Sequence, residues 1–321
     1  MVTIDLVTGF LGSGKTTFIK KYAQFLMDRG LHIGILENDF GAINVDMLML
    51  HELRNDKCEL EMISGGCDAD CHRRRFKTKL ISMAMCGYDR VIVEPSGIYD
   101  VDEFFDALRE EPLDQWYEIG NVIAILDARL ENKMSAQADY LLASEIANAG
   151  KVIFSHADQA SGEQITDTVG HLNRALEQIQ CRRRIDPAKD ILQKNLTELT
   201  GADLEELFCC GYHPESYRKM DLEDHKSFDS LYFMEEKITP QTMEKAVREL
   251  FSHKEYGEIF RVKGFLKDTD GNWLELNANH EGSTLQPVAV GQEVLIVIGE
   301  HLKEGRIREA FGIQGSQSEN K

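Results

Sequence analysis

The sequence predicts a doubly wound, mostly parallel α/β sheet, followed by a smaller C-terminal α+β domain. Three observations carry this expectation. Short β-like runs alternate with helical patterns: "IDLVT" from Ile4, "HIGILEN" from His32, "RVIVEPSG" from Arg90, "NVIAILDA" from Asn121 and "KVIFSHAD" from Lys151. Most are near-continuously apolar, as strands buried on both faces must be. Their C-terminal ends collect the polar residues Gly9, Asn38, Asp39, Glu94, Asp127 and Asp158, where parallel sheets gather ligands.

Taken in order, the first strand "TIDLV" runs into the glycine-rich stretch "GFLGSGKT", Gly9 to Thr16. The segment "TTFIKKYAQFLMDRG" follows, with apolar residues at helical spacing and a glycine at its end. From about Gly201 to Ser227 the pattern breaks into short helical and polar pieces, read as a connector. Beyond it come "SLYFMEEK", the helix "PQTMEKAVRELFSH", the strands "EIFRVKGFLK", "NWLELNA" and "EVLIVIG", and a last helix near "HLKEGRIREAF". Strands outnumber helices there and "TDGN" supplies a turn, which indicates α+β. The expected boundaries are 1–200 for the α/β domain, 201–228 for the connector, 229–313 for the second domain and 314–321 for a flexible tail.

The chain has 321 residues and a net charge of −19, so nucleic acid and anionic membranes are expected to repel it. The basic stretches "CHRRRFKTK" and "CRRR" are read as solvated helix faces. No apolar run has the length of a bilayer span and no secretory segment is visible, so a cytoplasmic location is expected. Seven cysteines, an odd number, argue against a disulfide framework and leave thiols for the core or for ligation.

The stretch Gly9–Thr16 fits the phosphate-loop pattern between a strand and a helix. Gly9, Gly12, Ser13 and Gly14 let backbone amides wrap phosphates, Lys15 reaches the β and γ phosphates, and Thr16, followed by Thr17, offers a hydroxyl to Mg²⁺. In "VIVEPSG", Glu94 ends a buried strand and would hold the Mg²⁺ shell or orient water, and Gly97 would bring its N–H to the γ-phosphate. Asp39 and Asp46 lie on a glycine-containing loop suited to sensing Mg²⁺ or the γ-phosphate. In "FSHAD", Ser155, His156 and Asp158 form a candidate base-binding corner. A carboxylate there can accept from guanine N1–H and the 2-amino group, a donor pair that adenine lacks; its alternative role is a helix N-cap. Finally, "GGCDADCH" gathers Cys67, Asp68, Asp70, Cys71 and His72 within six residues. Thiolate, carboxylate and imidazole together suit Zn²⁺ or Co²⁺ better than an oxygen-seeking ion.

With these motifs in this order, the chain resembles the CobW-like family of P-loop GTPases, cobalamin-synthesis W and related metallochaperone proteins. The likeness spans nearly the whole chain: Gly9–Thr17, Asn38–Gly41, Glu94–Gly97, and Arg261–Phe265 in the second domain. The resemblance implies GTP and Mg²⁺ as ligands, and Lys15, Asp39 and Glu94 as the catalytic group. It also implies a client metalloenzyme or cofactor-assembly protein, and a nucleotide-dependent homodimer. Two departures stand out. The family's Gly-Cys-x-Cys-Cys motif is replaced by Gly66-Cys67-Asp68-Ala69-Asp70-Cys71, so a metal site is either more oxygen-rich, altered or lost. The family's Asn-Lys-x-Asp is Ser155-His156-Ala157-Asp158, with imidazole in place of the lysine stem. The expected function is therefore GTP hydrolysis coupled to transition-metal delivery or metallocofactor assembly, for example cobalamin-related. The alternatives are a nucleotide-controlled partner of a metalloenzyme that carries no metal, and a small-molecule kinase.

Overall fold

The computed structural model describes residues 1–38, 49–63, 69–97, 100–130, 134–219, 228–236, 238–280 and 282–313, with the side chains of 69 and 70 left out. It divides into two compact units, Met1–Met220 and Asp221–Lys321.

The first unit is built on seven strands: β1 Val2–Thr8, β2 Ile33–Asn38, β3 Cys58–Ile63, β4 Arg90–Pro95, β5 Tyr117–Asp127, β6 Lys151–Ser155 and β7 Ile191–Gln193. They form one sheet in the order β3-β2-β4-β1-β5-β6-β7, and every pairing is parallel. Its helices of eight residues or more are α1 Lys15–Asp28, α2 Ala69–Ala84, α3 Val101–Leu108, α4 Ala136–Ala147, α5 Gly162–Gln178 and α6 Gly201–Phe208. They fall into two packing sets: α1 meets α6, and α2, α3, α4 and α5 pack in succession. The doubly wound parallel sheet expected from the sequence is thus present.

Alternation within the strands feeds both layers. Ile33, Ile35, Ile92, Ile123 and Ile125 join Phe18, Ile19, Tyr22 and Leu26 of α1, and Leu204 and Leu207 of α6, in one core. The intervening Leu36, Val91, Val93, Val122, Ala124 and Leu126 are equally buried and point the other way. Two of the buried polar residues, Asp5 and Asn121, join strands β1 and β5. Asp5, fully buried in β1, accepts from Arg90 Nη1 at 2.7 and 2.6 Å, from Tyr22 Oη at 2.9 Å and from the Asn121 backbone N–H at 2.8 Å. Asn121 in turn donates to Phe208 O at 2.9 Å and accepts from Gly211 N–H at 2.8 Å. The Arg90 guanidinium lies 4.5 Å from the Phe208 ring centroid. This buried polar hub fastens α6 and the following turn to the base of the sheet.

The second unit contains the antiparallel strands β8 Phe228–Met234, β9 Glu258–Lys267, β10 Trp273–Asn279, β11 Gly282–Val288 and β12 Val294–Glu300, in the order β11-β10-β9-β12-β8. Helices α7 Pro240–Ser252 and α8 Glu304–Ala310 share its core, where Met243, Val247, Leu250, Ile307 and Phe311 meet Phe233, Val262, Leu266, Leu276 and Val297. Among the described residues no helix is long and apolar enough to cross a membrane.

Candidate functional site

Gly9 leaves β1 with φ +145° and passes so close to β5 that a Cβ there would lie 2.0 Å from Ile125 O. Only glycine permits that approach. The loop then turns, Ser13 N–H donating to Phe10 O at 3.2 Å, and Gly14 caps α1 in the left-handed conformation with φ 98°. The cap supplies no side-chain acceptor, and the first turn of α1 carries no acidic residue. The positive end of α1 is therefore left for an external anion. Ser13 Oγ is buried and has no hydrogen-bond partner among the described residues. Lys15 is 7% exposed and folds back to donate from Nζ to Gly9 O at 2.8 Å. Thr16 is buried and Thr17 exposed.

The parallel register delivers the neighbouring groups. Thr16 Oγ1 donates to Glu94 Oε1 at 3.0 Å across 78 residues of sequence. Glu94 pairs in register with Glu37 on β2, and both are buried. Gly97 lies against the phosphate loop, where a Cβ would stand 2.9 Å from Leu11 N. Asn38, fully buried at the end of β2, makes two ties. Its backbone oxygen accepts from Ser96 N–H at 2.8 Å, and its Oδ1 lies 2.6 Å from Nε2 of the buried His72 on α2.

At the far side, Ser155 ends β6 with Oγ donating to Leu126 O at 3.1 Å. His156 follows in the left-handed region with φ 53°, and Asp158 is exposed. The alternative role of Asp158 as a helix cap is taken by Ser161, which forms a capping box with Gln164 at the start of α5. Asp127 accepts from Arg129 N and Nε at 2.9 and 3.0 Å and from Nη2 at 3.0 Å. His156 Nδ1 lies 3.0 Å from Asp127 Oδ2, a close polar contact rather than an aligned hydrogen bond. Burial works against ionisation of Asp127, but His156 and Arg129 overcome it and hold the carboxyl well below its usual range.

The segment after β7 completes the rim and was not legible in the sequence. Asn195 Nδ2 lies 3.5 Å from Asp158 Oδ1, Lys21 Nζ donates to Thr197 O, and Leu196 Cδ1 would stand 2.6 Å from a Cβ on Gly14. Its only sequence signal is the Asn195 cap on a single turn, after a strand of three residues.

The structure thus brings Gly9, Gly12, Ser13, Gly14, Lys15, Thr16, Glu94 and Gly97 together at one end of the sheet. Ser155, His156 and Asp158 line the same edge. Asp39, Asp46, Cys67 and Asp68, and the side chain of Asp70, lie outside the described residues. Cys71 is half-buried near the start of α2. Among the described residues no three His, Cys, Asp or Glu side chains cluster as a metal site would.

Residues 3–185 match the family model of the CobW/HypB/UreG nucleotide-binding domain. The chain belongs to this family. Residues 230–312 match the cobalamin synthesis protein CobW C-terminal domain, so both halves of the CobW arrangement are present. Similar proteins include the zinc chaperone YeiR of Escherichia coli, 27% identical over 164 residues, which are 51% of this chain and 49% of YeiR. The zinc chaperone YjiA of the same organism is 25% identical over 184 residues, 54% of this chain and 55% of YjiA. The match to each therefore spans about half of that relative's length. The zinc-regulated GTPase metalloprotein activator 1 of Schizosaccharomyces pombe is 20% identical over 323 residues, 90% of this chain and 77% of that protein.

One further buried acid in this CobW-type domain carries no role in the site described above. Glu145 on α4 is fully buried, and neither carboxyl oxygen has a hydrogen-bond partner among the described residues. Burial pushes its carboxyl well above the usual range, against the pull of the Lys15 charge. A raised folded-state pKa gives stability that is complete below the unfolded value and is lost as pH rises towards the folded one. Wild-type stability is therefore expected to fall relative to Glu145→Gln as pH rises from the ordinary glutamate range towards neutrality. Denaturant unfolding of both proteins across that range checks this; parallel curves would remove Glu145 as the cause.

Proposed function

We propose that this CobW-family chain binds and hydrolyses GTP and couples the nucleotide state to delivery of a transition metal, zinc foremost, to a client metalloenzyme. The observation that carries the coupling is Asn38. It holds Ser96, in the loop between Glu94 and Gly97, and His72, next to Cys71 on α2. A change at the γ-phosphate that moves Gly97 therefore has a short, buried path to the cysteine helix.

The phosphate end fits a nucleoside triphosphate. Lys15 exchanges its neutral partner, Gly9 O, for an anionic phosphate oxygen, a stronger charge-assisted bond. Thr16 Oγ1 and Glu94 are hard oxygen donors that fit Mg²⁺; when bound, the ion supplies positive charge beside the β and γ phosphates. Glu94 and the switch carboxylate Asp39 orient the attacking water, and Asp158 accepts from guanine.

Zinc as cargo is supported by the thiols of Cys67 and Cys71, with Asp68 or Asp70 completing the shell, and by the names of the two Escherichia coli relatives. His72 serves as the tie to β2, since its Nε2 is engaged with Asn38. A cobalamin role rests on the family name alone. The displaced second cysteine favours a second reading, a nucleotide-controlled partner of a metalloenzyme that carries no metal itself; a nucleotide-dependent homodimer is compatible with either.

Calorimetric titration of Zn²⁺ and Co²⁺ into wild type and a Cys67→Ser/Cys71→Ser variant, with and without a non-hydrolysable GTP analogue, separates these readings. One ion bound by wild type, lost in the variant and altered in affinity by the analogue is the expected result. By linkage the metal must change nucleotide affinity by the same factor. Equal binding by both proteins moves the metal off these cysteines and leaves the metal-free reading.

A further inference from the structure

The base-binding corner holds a group that the phosphate chemistry does not use. Asp127 ends β5, faces the residue after β6, and is only 17% exposed. Its carboxylate is gripped three times by Arg129 and lies 3.0 Å from the imidazole of His156. Arg129 also reaches forward, Nη1 donating to Gln159 Oε1 at 3.1 Å. The exposed Asp158 thus sits between two residues, His156 and Gln159, that both trace back to Asp127.

The backbone gives the second, independent observation. His156 adopts φ 53°, a conformation that costs a side chain with a Cβ and persists only where the surroundings hold it. The strand before it is fixed in the sheet, Phe154 pairing with Leu126 and Ser155 with Asp127. The chain must turn sharply at 156 to bring Asp158 round to the rim, near Asn195. The contact to Asp127 is the side-chain tether at that turn.

We propose that Asp127 is a positioning residue for nucleobase selection: with Arg129 behind it, it pins His156 in the left-handed turn that presents the Asp158 carboxylate to a purine bearing adjacent N–H and amino donors. This rests on the reading that Asp158 meets guanine. An imidazole N–H or a lysine ammonium at 156 can both answer the Asp127 carboxylate, whereas an alanine cannot. Selectivity for guanine over adenine therefore depends on Asp127, which acts through His156 rather than on the base.

The test measures the affinities of GDP and ADP for wild type, Asp127→Asn, His156→Ala, His156→Lys, the Asp127→Asn/His156→Ala double variant and Asp158→Ala. Asp127→Asn and His156→Ala are each expected to lower the GDP-to-ADP preference roughly three- to tenfold, and Asp127→Asn to do so through GDP alone, because the pair is partly exposed and the phosphate contacts are untouched. The double variant should lose no more than either single one. His156→Lys should restore the preference when Asp127 is present and fail to do so with Asp127→Asn. If Asp127→Asn does not fold, His156→Ala, which leaves the Asp127–Arg129 pair intact, carries the test by the same ratio. A preference that collapses with Asp158→Ala but survives at Asp127 and His156 overturns this inference alone. A preference absent in wild type, or indifferent to Asp158→Ala, overturns the guanine reading beneath it.

Discussion

Lys15→Ala is expected to lower GTP hydrolysis by roughly 10²–10³-fold or more, the loss typical of removing one preorganised charge partner from a developing anion. Phosphoryl transfer relies on positioning and charge neutralisation, and Lys15 brings the cation closest to the phosphate loop, now parked on Gly9 O at 2.8 Å. The fold should survive, because the hydrogen bond to Gly9 O that the truncation removes is worth about 1 kcal/mol. Phosphate release under saturating GTP, with thermal unfolding as the control, measures both. Near-normal turnover by a folded Lys15→Ala protein would refute the assignment of this loop as the reacting site.

The largest expected effect on stability lies at the opposite end of the sheet. Asp5→Ala leaves the donors of Arg90, Tyr22 and Asn121 facing a fully buried gap, and Arg90 keeps a charge only 12% exposed. Breaking a buried pair from one side costs about 3–5 kcal/mol. Because Asn121 also holds Phe208 O and Gly211 N–H, the loss should reach α6. Urea unfolding followed by circular dichroism should show a midpoint lowered to match, with early loss of amide protection over Gly201–Phe208. A change under about 1 kcal/mol would mean that solvent enters and satisfies the hub, contrary to its burial.

The central strands were legible because each is buried on both faces and so spells an uninterrupted apolar run. The strands that escaped notice are those with little apolar pattern. In β3, Glu59, Glu61 and the exposed Met62 interrupt the run; β7 has three residues; β11, at the edge of its sheet, is largely exposed and contains Pro287. Each gives too short or too polar a signal for period-two reading. The helix cap shows the same limit. Asp158 and Ser161 both precede α5 within four residues, and only the capping box with Gln164 distinguishes the cap from the carboxylate that does not cap.

By itself the sequence determined what is local: the phosphate loop with its strand and helix, the carboxylate at the end of β4, and the family. These rest on residues within one turn or one strand of each other, where spacing fixes geometry. The tertiary structure decided which distant groups meet. Thr16 finds Glu94, Asn38 finds His72, Asp127 finds His156, and Asn195 finds Asp158, because strand order β3-β2-β4-β1-β5-β6-β7 places their strand ends side by side. A single sequence carries the period of each strand but not the order in which strands pair. In a parallel sheet every neighbour is reached by a crossover, so its functional contacts are non-local from the start.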